Sequence, residues 1–405
     1  IERGMKDDAL IPLKLFRSST FSMATIIGVF VGFAMFGAML TLPLYLQLVL
    51  GSTPTESGIQ LLPMILGLMI SSIVSGQIIA RTGHYRIFPT IGTAFMVLGF
   101  LTLTFVRYDS SYWHLAGAML LIGLGLGQLM QTLTIASQNS VGPRDIGVAT
   151  SGSTFFRQIG GTLGTAVLLS LLFTLVPLNL QTNFKDQQSL SDALDAALDP
   201  TVASAPANAG IMSKVYDPFV GQLSDGALDG AQKGVDEAKA AAADAVAQQV
   251  ASGAIPAAAQ QQATAQAEQQ AIAQAGAKIT EQLPVAKVAA DGTVTLDFTD
   301  AAARRAFVDQ AVPQIIDGMS NSSGSSFDDS TMDDTSFLNG ADPRLTKPLL
   351  VSFNQSTVSV YWVAMGVALI AFVLTLFFRT PPLRQKSALQ ESADAERQPE
   401  PIALG

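Results

Sequence analysis

Cysteine is absent from the 405 residues, which excludes a disulfide framework and any thiolate metal site. Histidine occurs twice, at His84 and His114, and neither belongs to an H-E-x-x-H pair, so the zinc-protease arrangement is excluded too. No G-x-x-x-x-G-K-[ST] stretch is available to cradle a nucleotide phosphate. The Asp-rich run within residues 320–343 lacks the spacing of a calcium loop. Charge itself is scarce: 14% of residues are charged against 49% apolar, too greasy a balance for a soluble chain of this length. The net charge of −9 hides an uneven split, because residues 178–350 hold 22 acids and 10 bases, a balance of −12, and the remainder is about +3. That leaves no basic field, so nucleic acid is not an expected partner. No cofactor and no enzymatic activity are expected.

What is present is six apolar blocks, at about 21–49, 58–80, 87–106, 113–139, 146–176 and 357–378. Each exceeds the roughly 18 residues that read as a spanning helix. Pro43 and Pro63 inside them suit membrane helices better than soluble ones. The fold class expected is therefore all-α, a polytopic membrane protein with six transmembrane helices and the lipid bilayer as its first partner. Lys14 and Arg17 precede the first span, Arg81 and Arg86 separate the second and third, Arg144 separates the fourth and fifth, and Arg379, Arg384 and Lys386 follow the sixth. The opposite short loops hold only Arg107. The positive-inside rule then puts both termini in the cytoplasm of a multi-pass inner-membrane protein.

The expected organisation is a cytoplasmic linker at 1–20, spans one to five within 21–176, an acidic Ala/Gln-rich extracytoplasmic insertion at 177–356, the sixth span at 357–378 and a cytoplasmic disordered tail at 379–405. Charged residues in 1–20 and a first residue that is not Met argue against a secretory signal. Within the insertion, 222–283 has helix-forming composition, but its apolar positions are mostly Ala, so little core is expected. The run PVAKVAADGTVTLDF predicts a hairpin around Asp291–Gly292. A short amphipathic helix follows at Ala301–Met319, then a flexible acidic linker over 320–343.

The fifth span carries one charge. Thr150, Ser153, Thr154, Arg157, Gly161 and Gly164 fall within a helical sector about 100° wide. Lipid cannot satisfy such a stripe, so it must face protein or a water-filled path. On the fourth span Gln128, Gln131, Thr134 and Gln138 share one side, within about 120°. They either line a polar cavity with the Arg157 stripe or hydrogen-bond between helices. Arg157 is a functional candidate by its place in the membrane, although a carbonyl or a helix end would also pair it. Gly28-x3-Gly32, Gly123-x3-Gly127 and Gly160-x3-Gly164 predict close helix packing. Pro43, Tyr45 and Gln47 form either a kinked outer gate or an interfacial helix end. None of the spans holds an Asp or Glu in its interior, although a proton relay normally uses one.

The stretches LIPLKLFRSSTF, TLPLYLQLVLG and SGIQLLPMILGLMISSIVSGQIIARTGHYR resemble the major facilitator superfamily, and within it the fourteen-helix drug:proton antiporter branch, the EmrB/QacA type. Gly76, Arg81 and Gly83 occupy positions of that superfamily's cytoplasmic loop signature G-x-x-x-D-R-x-G-R-R, with Arg86 directly after it; Ala80 stands where the acid would be, and His84 and Tyr85 depart from the basic pair. FFRQIGGTLGTAV is similar to the eleventh core helix, and PLLVSFNQSTVSVYW to the lead into the last helix. The resemblance covers about 1–180 and 345–380 and implies the C-terminal half only, partnered by a missing N-terminal half that would bring the usual acidic coupling residues. It implies export of small amphipathic compounds by secondary transport, with a substrate path along Gln128, Gln131, Thr134, Gln138, Thr150, Ser153, Thr154 and Arg157. The rival readings are a non-transporting protein that displays its insertion to an outside partner, a truncated inactive half, and a permease subunit driven by a separate ATPase.

Overall fold

The structure, a computed structural model, describes residues 13–321 and 336–378; the tail at 379–405, most of the leading linker and 322–335 of the acidic linker lie outside them. In chain order the main elements are α1 (Ser19–Leu48), α2 (Leu62–Thr82, after a short helix Pro54–Gln60), α3 (Ile87–Thr104), α4 (Tyr112–Asn139), α5 (Ile146–Phe184), α6 (Gln187–Leu198), α7 (Asp217–Ala251), α8 (Gln260–Gln282), β1 (Ala286–Val288), β2 (Val294–Leu296), α9 (Ala301–Asn321) and α10 (Pro343–Leu376). Six helices are long and apolar enough to cross a membrane: α1, Pro54–Thr82, α3, α4, Pro143–Phe184 and α10. The fold is the expected all-α polytopic one, with a large insertion between the fifth and sixth spans. Contacts divide the chain into one unit of 1–176 with 353–405 and a second of 177–352.

Local chemistry explains the helix ends. Ser18 caps α1 by accepting the Phe21 N–H, and Thr53 and Glu56 form a reciprocal capping box before α2, each satisfying a donor that the first turn leaves open. Gly83 stops α2 in the left-handed conformation, φ 70°, which a side chain would strain. Helix α5 continues through Pro177 to Phe184, and α10 begins at Pro343, well before the apolar block. Hydropathy picks out only the bilayer-length part of a longer helix.

In the membrane unit α4 is the central element, packed by α1, α2 and α3. Glycine makes this possible. A Cβ on Gly123 would stand 2.1 Å from the Met64 carbonyl oxygen, one on Gly127 2.3 Å from that of Leu68, and one on Gly125 2.4 Å from that of Gly92. In lipid, helices gain little by hiding apolar surface from one another, so backbone approach and dispersion hold them together. The Ser71 hydroxyl adds a 2.6 Å hydrogen bond to the Leu124 carbonyl. Helix α10 meets α3 through the Thr93 and Thr375 hydroxyls, 3.2 Å apart. The side chains left exposed on the spans include Ile65, Met69, Ile73, Leu163, Val167 and Val373, apolar groups suited to acyl chains.

The insertion has more core than its alanine content promised. Helices α7 and α8 pack as a pair, and the β-hairpin closes over them, burying Ala231, Val235, Ile272, Ala286 and Val294 together. The strands pair antiparallel, with Lys287 opposite Thr295, around a turn in which Gly292 has φ 88°. Gln232 fastens the hairpin to α7, donating to the Gly292 carbonyl and accepting the Val294 N–H. Lys287 and Asp297 pair across the strands, which holds the Asp297 carboxyl below the usual carboxylate range. Elsewhere in the insertion Arg304 of α9, 5% exposed, pairs with Asp195 of α6 at 3.0 Å and with Asp199 at 3.1 Å, and Arg305 pairs with Asp192 at 3.0 Å.

Candidate transport site

The polar stripe of α5 turns toward protein. Ser153, Gly161 and Gly164 are buried and Thr150, Thr154 and Arg157 partly so, whereas Phe155, Ile159, Leu163 and Val167 on the opposite side are exposed. The facing element is α1. A Cβ on Gly160 would stand 2.1 Å from the Val29 carbonyl oxygen, one on Gly164 2.3 Å from that of Phe33, and one on Gly37 2.2 Å from a Leu168 methyl. The contacts advance in step along both chains, so α1 and α5 run parallel. Arg157 sits at this crossing: a Cβ on Gly32 would stand 2.1 Å from its carbonyl oxygen, and one on Gly28 4.0 Å from its Cβ. Two glycines of α1 thus leave the space that an arginine on α5 needs.

The four α4 residues do not gather at one place. Gln138 donates to the Thr150 hydroxyl at 3.0 Å and so links α4 to α5. Thr150 and Ser153 return their hydroxyls to the carbonyls of Ile146 and Thr150, and Thr134 does the same to Met130 at 2.8 Å, the usual way a hydroxyl is satisfied within a membrane helix. Gln131 is exposed, with its amide nitrogen 3.7 Å from where a Gly76 Cβ would be. Gln128 lies against α3: its Cβ is 3.3 Å from the Cβ position of Gly92, it is 9% exposed, and its Oε1 has no hydrogen-bond partner. The interhelical reading therefore describes Gln138, while Gln131 keeps an open side and Gln128 faces α3.

At one end of the unit the loop signature has a particular form. Arg81 and Arg86 are exposed, Gly83 is the left-handed cap, and Tyr85, 2% exposed, accepts a 3.0 Å hydrogen bond from Asn139 at the end of α4. Where the signature has a basic residue, this chain has a buried phenol that ties the α2–α3 loop to α4. Lys14 pairs with Asp145 at 3.3 Å, and Leu15, Phe21, Val141 and Ala149 cluster beside them. At the other end Tyr45 donates to the Asn354 side-chain oxygen at 2.9 Å, and the Asn354 amide reaches the Val106 carbonyl at 3.3 Å. Gln47 donates to Ser57 at 3.0 Å. The residues read as a gate or an interfacial end thus fasten α1 to its neighbours, through an asparagine on α10 that sequence alone did not single out. The N-Q-S-T cluster ahead of the apolar block was the available signal.

Comparison with known proteins bears on this arrangement. Residues 2–165 match the sequence model of the Major Facilitator Superfamily. Among curated proteins the chain is similar to an uncharacterized MFS-type transporter of Mycobacterium tuberculosis, 37% identical over 200 residues, 49% of this chain and 28% of that protein. It is similar also to the multidrug transporter protein MdtP of Bacillus subtilis, 35% identical over 212 residues, 52% of this chain and 37% of the relative. A tetracycline resistance determinant of Streptomyces rimosus is 34% identical over 173 residues, 43% of this chain and 50% of the relative. The chain thus spans between 28% and 50% of the length of these three relatives.

Proposed function

Because residues 2–165 match the Major Facilitator Superfamily model, we propose that this chain is the C-terminal half of a fourteen-helix, proton-coupled exporter of amphipathic or lipophilic compounds. One structural observation carries the reading: a six-helix membrane unit in which a polar stripe with a single interior arginine is turned onto a neighbouring helix at a glycine crossing. Helices that meet backbone to backbone slide and rock at close range, as alternating access requires. The resistance and multidrug names of the relatives support small organic molecules as cargo. The substrate path in this half runs along Thr150, Ser153, Thr154 and Arg157 of α5 and along Gln131, Thr134 and Gln138 of α4, with Gln128 set deeper against α3. Gly76, Arg81, Gly83 and Arg86 form the cytoplasmic loop, both termini face the cytoplasm of the cell membrane, and residues 177–356 face outside. The opposing wall and the proton-coupling carboxylates belong to an N-terminal half, in keeping with spans whose interiors hold none.

The test is dye efflux from inverted membrane vesicles under an imposed pH gradient, with the protein encoded by the complete reading frame. The expected result is transport that collapses when the gradient is discharged. Transport that persists without the gradient removes proton coupling, and no transport of any lipophilic dye at normal expression removes the exporter reading.

A further inference from the structure

Arg157 is the one charged residue deep within the spans. Arg81 lies at the end of α2, and Arg344 and Lys347 lie at the start of α10. From Ile146 to Arg157 is about 16 Å of helix, further than an arginine side chain reaches back to the membrane surface by snorkelling. Its guanidinium is only partly buried and makes no hydrogen bond or ion pair among the described residues. Glu56 is engaged in its capping box and Asp145 with Lys14, and Asp109 lies in the α3–α4 loop, outside the spans. A cation left without a counter-charge in a low-dielectric interior is costly, and such residues are kept where an anion meets them.

A second unsatisfied group lies on the face of α1 that meets Arg157. The Thr25 hydroxyl on α1 is buried, at 4% exposure, and has no hydrogen-bond partner. Thr25 shares a face of α1 with Gly28 and Gly32, one and two turns further on, the glycines that face Arg157. Helical side chains lean toward the N-terminus of their own helix, so Arg157 leans toward the level of Thr25. A guanidinium and an unsatisfied hydroxyl side by side make a donor pair for an oxyanion. The ring of Phe36 on α1 lies against Gly161 of α5 along the same crossing, an apolar group on that wall.

We infer that Arg157 and Thr25 form an anion site within the membrane unit, and that it takes the sulfonate or carboxylate of a small organic anion with an apolar body. As a statement about cargo this rests on the exporter reading. As a statement about binding it stands without it.

The experiment uses the purified chain in lipid nanodiscs and a matched probe pair, 2-naphthalenesulfonate and 2-naphthyltrimethylammonium, titrated by calorimetry. The wild-type chain is expected to bind the sulfonate more tightly than the ammonium. Arg157→Gln is expected to weaken sulfonate binding by about tenfold or more, the loss of a charge-assisted contact, and to leave ammonium binding no weaker. Arg157→Lys keeps most of the preference. Thr25→Val, which is isosteric, weakens the sulfonate severalfold. If Arg157→Gln does not fold, the wild-type preference and its reduction in Thr25→Val decide the matter. No charge preference in the wild-type chain, or equal losses for both probes, overturns the site; a guanidinium neutralised by a carboxylate of another segment would give the first of these. Charge-selective binding without pH-driven efflux keeps the site and removes the exporter reading, whereas efflux without charge preference does the reverse.

Discussion

Single side chains in this protein are decided by what they leave unpaired when removed. Arg304 holds two carboxylates, Asp195 and Asp199, and so ties α9 to the end of α6. Arg304→Met leaves both acids beside an empty place, and removal of one partner from a buried pair typically costs about 3–5 kcal/mol. The expected outcome is rapid proteolysis within α6 and α9 at neutral pH, with the membrane helices intact. Asp199 is held below its ordinary range first by the Thr201 hydroxyl and, less strongly, by Arg304. A carboxyl with a depressed folded value contributes stability in full above its unfolded value of about 3.9. That contribution fades as pH falls through the lower folded value, so protease resistance of the insertion should hold at pH 6 and decline below pH 4. Tyr45→Phe is the counterpart in the membrane unit. It removes the donor to Asn354 and leaves a buried amide oxygen unsatisfied, a loss of about 1–3 kcal/mol, read as a lower Tm in detergent. None of these pairings could be read from sequence, because the partners are 109 residues apart for Arg304 and Asp195 and 309 for Tyr45 and Asn354.

Elements carry the next tier of argument, and here glycine outweighs hydrophobicity. The small-residue spacings in α1, α4 and α5 were legible as packing signals, but which helix each would meet was not. Gly123 and Gly127 face α2, Gly125 faces α3, and Gly160 and Gly164 face α1. Gly160→Val forces three heavy atoms toward the Val29 backbone and should destabilise the α1–α5 pair by about 1–3 kcal/mol, seen as a Tm several degrees lower in micelles. Gly58→Ala is the control, since nothing lies within 4 Å of its Cβ position, and it should leave Tm unchanged. The contact of α3 with α10 offers a covalent check. Thr93→Cys combined with Thr375→Cys should form a disulfide under mild oxidation, because the two hydroxyls are 3.2 Å apart; failure to cross-link would reject this pairing. The β-hairpin was the most legible element of the insertion, since alternation and an Asp–Gly turn are local signals. The core it completes was missed because alanine counts do not reveal that a distant strand covers them.

For the molecule as a whole, the absence of cysteine is an experimental convenience. A single cysteine at Gln260 in the insertion should react with an impermeant maleimide on intact cells, and one at His84 in the α2–α3 loop only after permeabilisation. The reverse pattern would invert the proposed orientation. Six spans, their loops and the class of protein follow from the chain alone, because apolar length and helical period are properties of consecutive residues and the bilayer acts as a fixed ruler. Which polar faces meet depends instead on the rotation and register of one helix against another. Those are set by contacts between residues that are dozens to more than a hundred positions apart, and only the tertiary structure brought Arg157 to the glycines of α1, turned Gln128 toward α3 and tied Tyr85 to Asn139.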